Sequence, residues 1–539
     1  MSSKPRKNLL ATLTVLLCGA LGWLMVKSAS ESARERQGAA NGTPAPRGQS
    51  PFDRPNPNSK LHREDRGLPA VDDPTGAGLV GERIVLFDSD EDYRRFLASL
   101  EGSGVSLLGR LDQLRALRLG YDDLDALRNL LGDQDSFGNF SVYVPEPPGE
   151  NVSFSGGVGF GNALFEWLGI PRDNSAYGKD IRVAMIDTGI SPDSALSNVR
   201  KIDLLNSGEG EATEFHPHGE TMASILLGDG GDVQGIAPIA DLSSFRIGDE
   251  TGVANSFLLA EAIVQAVDSG AQIINISMGS DYESSLVNNA VDYAAENNVL
   301  IIASAGNNGA PTLSSPASHE YVVAVGALDA NTNHADFSNQ GESLALAAPG
   351  VAIPARSGDE LIWSSGTSPS AMVTTALTVA AASELDLSVM EAYEVLTANL
   401  NEVGAPGNDP YFGAGYPDFG RVLNSETPGI YDIALVNPFH LPATEPDSVD
   451  SLLFSVQNRG TEAVPNVELQ ITSDLGTRAY AVGTLHPGET ETIDLPIPNN
   501  VETLQVDAQA TVPVNITDGK TSNNRVTGAL SRITEPTAP

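Results

Sequence analysis

One cysteine, Cys18, is all the thiol chemistry that 539 residues contain. It lies inside an N-terminal apolar run, so the remainder of the chain can form neither an internal disulfide nor a thiolate metal site and must be held by packing or bound ions. Basic residues are scarce too: 31 Lys and Arg stand against 70 Asp and Glu, a net charge of −39. The imbalance is uneven, with 18 basic and 21 acidic residues up to position 150 and 13 and 49 beyond it. Between Arg246 and Arg356 there is no Lys or Arg at all. A surface of this sign repels phosphate backbones and anionic lipid heads, which excludes nucleic acid as a partner and leaves no basic cluster in that stretch for a nucleotide. An acidic solvated face suits salty or extracytoplasmic surroundings. With 41% hydrophobic and 19% charged residues the chain is globular, long enough for about three or four domains.

Lys4, Arg6 and Lys7 precede an uncharged, mostly apolar run over residues 8–26, followed by Lys27 and the small residues Ser28, Ala29 and Ser30. This reads as an export signal over residues 1–30. The run exceeds a usual signal core and approaches a bilayer span, so either cleavage near Ala29 or Ser30 or retention as an anchor fits it, with the basic end in the cytoplasm. Residues 31–80 mix Pro, Gly, Ser and charge without an apolar period and read as a disordered linker.

Three modules follow. Residues 84–87 form a short apolar strand, and Ser89 with Asp92 opens a helix whose Tyr93, Phe96, Leu97 and Leu100 share one face. Strands at 105–108 and 117–121, a helix carrying Leu124, Leu127 and Leu131, and an alternating strand of Phe140, Val142 and Val144 complete a β, α, β, β, α, β order. That order is the ferredoxin-like arrangement, expected over residues 82–148. Residues 155–427 alternate helical and apolar strand patterns. Residues 182–186 and 299–304 suit parallel strands covered on both faces, with helices at 257–267 and 286–295 and a strand at 273–276 between them. From 430 to 535 the helical pattern stops. Leu452, Phe454 and Val456 alternate, as do Val467, Leu469 and Ile471, as expected of an all-β, Ig-like sandwich.

Four polar residues in the middle module stand where chemistry could occur. Asp187 follows the strand RVAMI, at the carboxyl end where ligands of such sheets bind. His218 lies in HPHGETMASIL ahead of a packed helix, Asn307 in ASAGNNG just past the strand VLIIAS, and Ser368 in SSGTSPSAM at a helix N-terminus. Alone, each has an ordinary structural role as turn, core histidine or cap. Together they make a set. A serine hydroxyl is a poor nucleophile until a neutral imidazole takes its proton, and the imidazole needs a carboxylate on its other nitrogen. A carboxamide can then donate to the oxyanion that forms.

The chain order Asp, His, Ser and the motifs Asp187-Thr-Gly, His218-Gly, Ala305-Gly-Asn307 and Gly366-Thr-Ser368 resemble the subtilisin-like serine proteases. GIAPIADL, NISMG, SPAS, AVGALD, FSNQG and APGV look like the same family. The resemblance implies a subtilisin-like parallel-sheet α/β domain hydrolysing polypeptides, with Asp187, His218 and Ser368 as triad and Asn307 in the oxyanion hole. It also implies Ser277, Met278 and Gly279 as substrate strand, and Ala303, Ser304, Ala305 and Gly306 at the pocket for the residue before the cut. No cofactor is required for that chemistry; structural calcium is implied, though no spacing assigns its ligands. His216 is expected at the rim. The sequence departs from the family at Thr221 and Ser224, where a histidine and a glycine are usual, at Pro369 for methionine, and at Met372, where proline is frequent. Pro369 biases Ser368 away from helical geometry.

The ferredoxin-like module resembles the inhibitory propeptide of these enzymes, to be released by a cut within 147–156. The tail resembles the adhesion-related CARDB sandwich, suited to attachment to a cell-surface partner, substrate capture or spacing. The expected protein is an exported serine endopeptidase made as a zymogen; the alternative is a catalytically weak scaffold that presents the sandwich.

Overall fold

The computed structural model describes residues 78–145, 157–196, 198–205, 214–228, 231–358, 360–442, 449–499, 501 and 503–531. The expected export segment, the linker up to residue 77 and the connection 146–156 lie outside them.

Strand β1 (Glu82–Leu86) leads into helix α1 (Asp90–Ser99), capped by the Ser89 hydroxyl, which accepts the Asp92 N–H at 3.1 Å. Tyr93 and Phe96 pack against residues of β2 (Val105–Leu111), β3 (Ala116–Tyr121) and helix α2 (Leu124–Leu131), so the apolar stripe of each helix closes one small core. The sheet is antiparallel in the order β1-β3-β2. The chain then continues into β4 (Ser141–Tyr143).

The central domain holds the short helix α3 (Leu164–Leu168), then β5 (Arg182–Asp187), β6 (Arg200–Asp203), α4 (His218–Leu227), β7 (Asp241–Arg246), β8 (Val253–Asn255) and α5 (Ser256–Asp268). After these come β9 (Ile273–Ile276), α6 (Ser285–Glu296), β10 (Leu300–Ser304), β11 (Val322–Leu328) and β12 (Leu346–Pro349). A hairpin of β13 (Ile353–Ser357) and β14 (Glu360–Ser364) precedes helices α7 (Thr367–Leu385), α8 (Val389–Ala398) and α9 (Phe419–Asn424). Seven strands form one parallel sheet in the order β12-β11-β10-β9-β5-β7-β6. Period-two alternation splits its two faces. Val183 and Met185 join the core that contains α4 and α7 residues, whereas Ala184 and Ile186 join the one that contains α5 and α6 residues. The strand order reverses at β5, which puts the crevice of the sheet at the carboxyl end of that strand.

Helix α7 is buried from Thr367 to Ala382, and Thr374, Thr375 and Thr378 each return their hydroxyl to the carbonyl four residues back, which satisfies these three buried hydroxyls within the helix itself. Pro369 is its third residue, within the first turn, where an N–H has no intrahelical acceptor to lose; the helix includes Ser368 and Pro369 without a break. The bias against helical geometry at Ser368 is thus overridden by packing. Among the described residues no single helix is long and apolar enough to cross a membrane.

One expectation needs correction. The strand expected over residues 140–144 does not complete the sheet of the N-terminal module. Only isolated bridges at Phe137 and Phe140 run beside that sheet, and β4 pairs instead with β8 of the central domain. Val142 and Val144 supply the reason, since both are buried in the core that contains Ala254 and Met278. Asn139, fully buried, fixes the crossover: its Nδ2 donates to Glu82, and its Oδ1 accepts from Ser256 Oγ and from Phe257 N–H at the start of α5.

The tail comprises β15 (Ile433–Leu435), β16 (Phe439–Leu441), β17 (Ser451–Asn458), β18 (Val464–Ser473), β19 (Gly476–Leu485), β20 (Thr490–Pro496), β21 (Thr503–Thr511) and β22 (Arg525–Ser531). Two antiparallel sheets, one of β15, β16 and β20 around β17 and one ordered β19-β18-β21-β22, share a core containing Leu452, Phe454, Val456, Val467, Leu469 and Ile471. β15 and β16 pair with successive halves of β17, as one interrupted edge strand.

At the seam with the central domain, Gln457 Oε1 accepts the Glu402 N–H at 3.0 Å and Arg459 donates to the Glu402 carbonyl. Burial pushes the Glu402 carboxyl up to about 7, against the N–H groups of Gly407 and Val403, which pull it down. A carboxyl raised above its ordinary 4.5 binds its proton more tightly when folded; its contribution to stability is complete below pH 4.5 and lost as the pH rises to about 7. Relative to Glu402→Gln, the native chain should lose denaturant stability across that window. A difference between the two that stays constant with pH would contradict this.

Candidate active site

The site begins with a buried charge. Asp187, the last residue of β5, is wholly buried, and its Oδ1 accepts the Thr188 N–H at 2.7 Å. His218, the first residue of α4, places Nδ1 2.8 Å from Oδ1 and 3.0 Å from Oδ2 of that carboxylate. Hydrogen bonds of this kind offset the desolvation of the carboxylate and orient the ring so that Nε2 points away from Asp187. Gly219 lets the two elements approach, for a β-carbon there would stand 2.2 Å from the Gly189 carbonyl oxygen. Thr188 Oγ1 completes the joint by accepting the Gly219 N–H and donating to the His216 carbonyl, both at 2.9 Å.

Ser368 is the second residue of α7 and is buried. It is not a cap: the N-cap is Gly366, whose φ of 147° and whose position against Asn307, 2.9 Å from a would-be β-carbon, both call for glycine. The Ser368 hydroxyl donates to the Ser277 carbonyl at 3.3 Å. Asn307 is clamped by Thr367, whose N–H and hydroxyl each donate to its Oδ1 at 2.8 Å, so its Nδ2 is turned outward and donates to the Pro145 carbonyl at 3.3 Å.

Ser277, Met278 and Gly279 follow β9, and Gly279 exchanges both backbone hydrogen bonds with Tyr143 at 2.9 Å. On the other side of the same segment, Val144 N–H donates to the Gly252 carbonyl at 3.0 Å. Ala303 and Ser304 end β10 inside the sheet, and Ala305 and Gly306 continue from it towards Asn307. His216 lies beside Gly252, its ring centroid 6.4 Å from that of His218, and burial followed by repulsion from His218 holds it below its ordinary range. Two departures from the family pattern have structural partners: Thr221 donates to the Pro217 carbonyl, and buried Ser224 donates to the Thr221 carbonyl while accepting the Arg356 N–H.

Asp187, with His218 bonded to it, Ser277, with Ser368 bonded to it, and Asn307 therefore all lie at the carboxyl ends of the interior strands β5, β9 and β10, as do the two backbone segments. Missed from the sequence were Thr188, Thr367, Ser314 and Pro145. The two threonines lie inside the motifs already singled out, Asp-Thr-Gly and Gly-Thr-Ser, and could have been assigned as partners of their neighbours. Ser314 stands between the glycines of the pocket, 3.0 Å from a β-carbon on Gly279 and with its hydroxyl 2.6 Å from one on Gly306. Only long-range pairing shows this. Among the described residues no three His, Cys, Asp or Glu side chains gather as a cation site, so no calcium position is assigned.

Fold and site define a parallel-sheet α/β domain with an Asp–His pair beside a helix-borne serine. Residues 178–415 match the model of the subtilase family, and this region is a subtilase-family domain. The chain is 36% identical over 193 residues to the thermophilic serine proteinase of Bacillus sp. strain AK1, covering 34% of this chain and 48% of that protein. It is 35% identical over 176 residues to subtilisin Savinase of Lederbergia lenta, covering 32% of this chain and 65% of the relative. The chain thus spans about half to two thirds of the curated relatives it matches. In fold it is similar to the epidermin leader peptide processing serine protease of Staphylococcus aureus, with TM-score 0.54 and 19% identity, covering 64% of this chain and 99% of that one. It is similar likewise to fervidolysin of Fervidobacterium pennivorans, a keratinolytic enzyme, with TM-score 0.54 and 16% identity over 81% of this chain and 88% of that one.

The clamp on Asn307 generates a prediction. Thr367→Val keeps the N–H and removes the hydroxyl, at a cost of about 1 kcal/mol. Hydrolysis of a peptide anilide should lose roughly five-fold in kcat with little change in KM. Unchanged kcat would show that the hydroxyl does not orient Asn307.

Proposed function

We propose that the chain is an exported serine endopeptidase made as a zymogen, with Ser368 as nucleophile, His218 as general base and Asp187 holding the imidazole. The observation that carries this reading is the 2.8 Å Asp187–His218 bond at the same carboxyl end of the sheet as a helix-borne serine and an outward-turned carboxamide. His218 Nε2 takes the Ser368 proton as Oγ attacks a substrate carbonyl, and Asp187 stabilises the imidazolium. The resulting oxyanion accepts from Asn307 Nδ2 and from the Ser368 N–H, one of the first-turn donors of α7 without a helical acceptor. An extended polypeptide would pair with residues 277–279 on one side and Gly252 on the other, as β-augmentation requires, and would set its side chain before the cut beside Ala303, Ser304, Ala305 and Gly306.

Residues 82–145 act in this reading as the chain's own inhibitor, because β4 and Pro145 occupy the lane a substrate would need. The tail is read as a CARDB-like sandwich that attaches or spaces the enzyme, and the N-terminal segment as its means of export, cleaved or retained as an anchor.

A fluorophosphonate probe tests the nucleophile and separates an enzyme from a catalytically weak scaffold. After release of residues 82–145, the probe should label the native chain at Ser368 and leave Ser368→Ala unlabelled. Asp187→Asn should fold yet lose several orders of magnitude in kcat, by about 10⁴ where the imidazole tautomer is spoiled. His216→Ala should retain most turnover. Full activity in Asp187→Asn, or loss only in His216→Ala, would overturn the assignment.

A further inference from the structure

Residues 142–145 do more than block the site; their register identifies a bond. Tyr143 and Gly279 exchange both backbone hydrogen bonds, at 2.9 Å each way. In an antiparallel pair such doubly bonded positions recur every second residue, so the next one pairs Pro145 with Ser277. There the N–H of residue 145 should donate to the Ser277 carbonyl. Proline has no N–H. The Ser277 carbonyl accepts instead from the Ser368 hydroxyl, at 3.3 Å. On the other side of Pro145, the carbonyl oxygen accepts from Asn307 Nδ2 at 3.3 Å. Val142 and Val144 are buried to either side of Tyr143, and Pro145 is itself buried. A carbonyl seated on the carboxamide beside the serine is the carbonyl to be attacked.

We propose that the maturation bond of this chain is Pro145–Glu146, and that proline at 145 slows its cleavage by leaving the Ser277 carbonyl free to hold the Ser368 hydroxyl away from His218. The inference rests on the protease reading above and adds to it the bond and its regulation. In the step itself Ser368 Oγ attacks the Pro145 carbonyl carbon and His218 takes the hydroxyl proton. The bond to the Glu146 nitrogen then breaks, with that proton passed from His218 to the leaving amine. Water, activated by the same imidazole, hydrolyses the ester, giving a Pro145 carboxylate and restoring the Ser368 hydroxyl. With an ordinary residue at 145, its N–H would occupy the Ser277 carbonyl and release the hydroxyl to turn towards His218.

The test uses the full-length chain. N-terminal sequencing of the self-processed protein should read from Glu146, and Ser368→Ala should stay intact. Pro145→Ala should be cut at the same bond roughly ten-fold faster, the value of one hydrogen bond redirected. Because that substitution could also disturb the docking of the module, three peptide anilides are compared on the matured native enzyme: Val-Tyr-Val-Pro, Val-Tyr-Val-Ala and Val-Tyr-Val-(N-methyl-Ala). The alanine peptide should turn over roughly ten-fold faster than the other two, which should be alike. A mature chain beginning elsewhere, with Ser368-dependent processing and probe labelling intact, overturns the bond and leaves the protease reading standing. Equal rates for the alanine and N-methyl-alanine peptides overturn the brake. Absence of both processing and labelling overturns the protease reading and this inference with it.

Discussion

A carboxylate with no exposed surface cannot remain ionised in an apolar sheet unless its surroundings donate to it, and Asp187 is such a group. Its partners dictate much of the local architecture. The Thr188 N–H requires the chain to turn sharply at the end of β5, and the His218 ring requires helix α4 to start against that turn. The β-carbon-free contact of Gly219 with Gly189 brings the two together. A buried carboxylate that loses a donor keeps its desolvation cost without the compensating bond, so the geometry of the pair and the packing around it are coupled.

The remaining site residues are held by rigid elements rather than by long loops. Ser368 rides on a helix buried along most of its length, and Asn307 is held between the end of β10 and the first residue of that helix through Thr367. Thr367 Oγ1 also accepts the Gly306 N–H at 3.1 Å, so one side chain links the serine helix, the carboxamide and the pocket backbone. Such a shell leaves little freedom for the donor that an oxyanion would need.

The N-terminal module illustrates how a local pattern is overruled. Its helices and first three strands follow their apolar periods, yet the last alternating strand deserts its own sheet. A strand whose apolar face can be buried in a larger core gains more than one that completes a four-stranded edge. The consequence is functional: a segment that would have been structural filler lies along the proposed substrate lane and ends at Asn307.

Leu452 and Phe454 were legible because alternation over a few positions states which face is buried, Val183 and Ile186 because a short, wholly apolar run states a strand covered on both faces, and the helices over 256–268 and 285–296 because longer helical patterns separate such runs. Asp187 and Asn307 were legible because each follows an apolar strand, where a parallel sheet presents its ligands, whereas His218 and Ser368, which open helices, became legible only through the chain order Asp, His, Ser and the motifs around them. Pro145, Ser314, Thr188 and Thr367 were not, and neither was the interrupted edge formed by β15 and β16. Pairing partners, register and the direction of a side chain at a crossing depend on contacts between residues far apart in the chain. Local periodicity carries no information about which distant strand is met, and so the sequence by itself determined elements, faces and the identity of the reactive groups, while tertiary packing decided that the chain's own proline would sit against them.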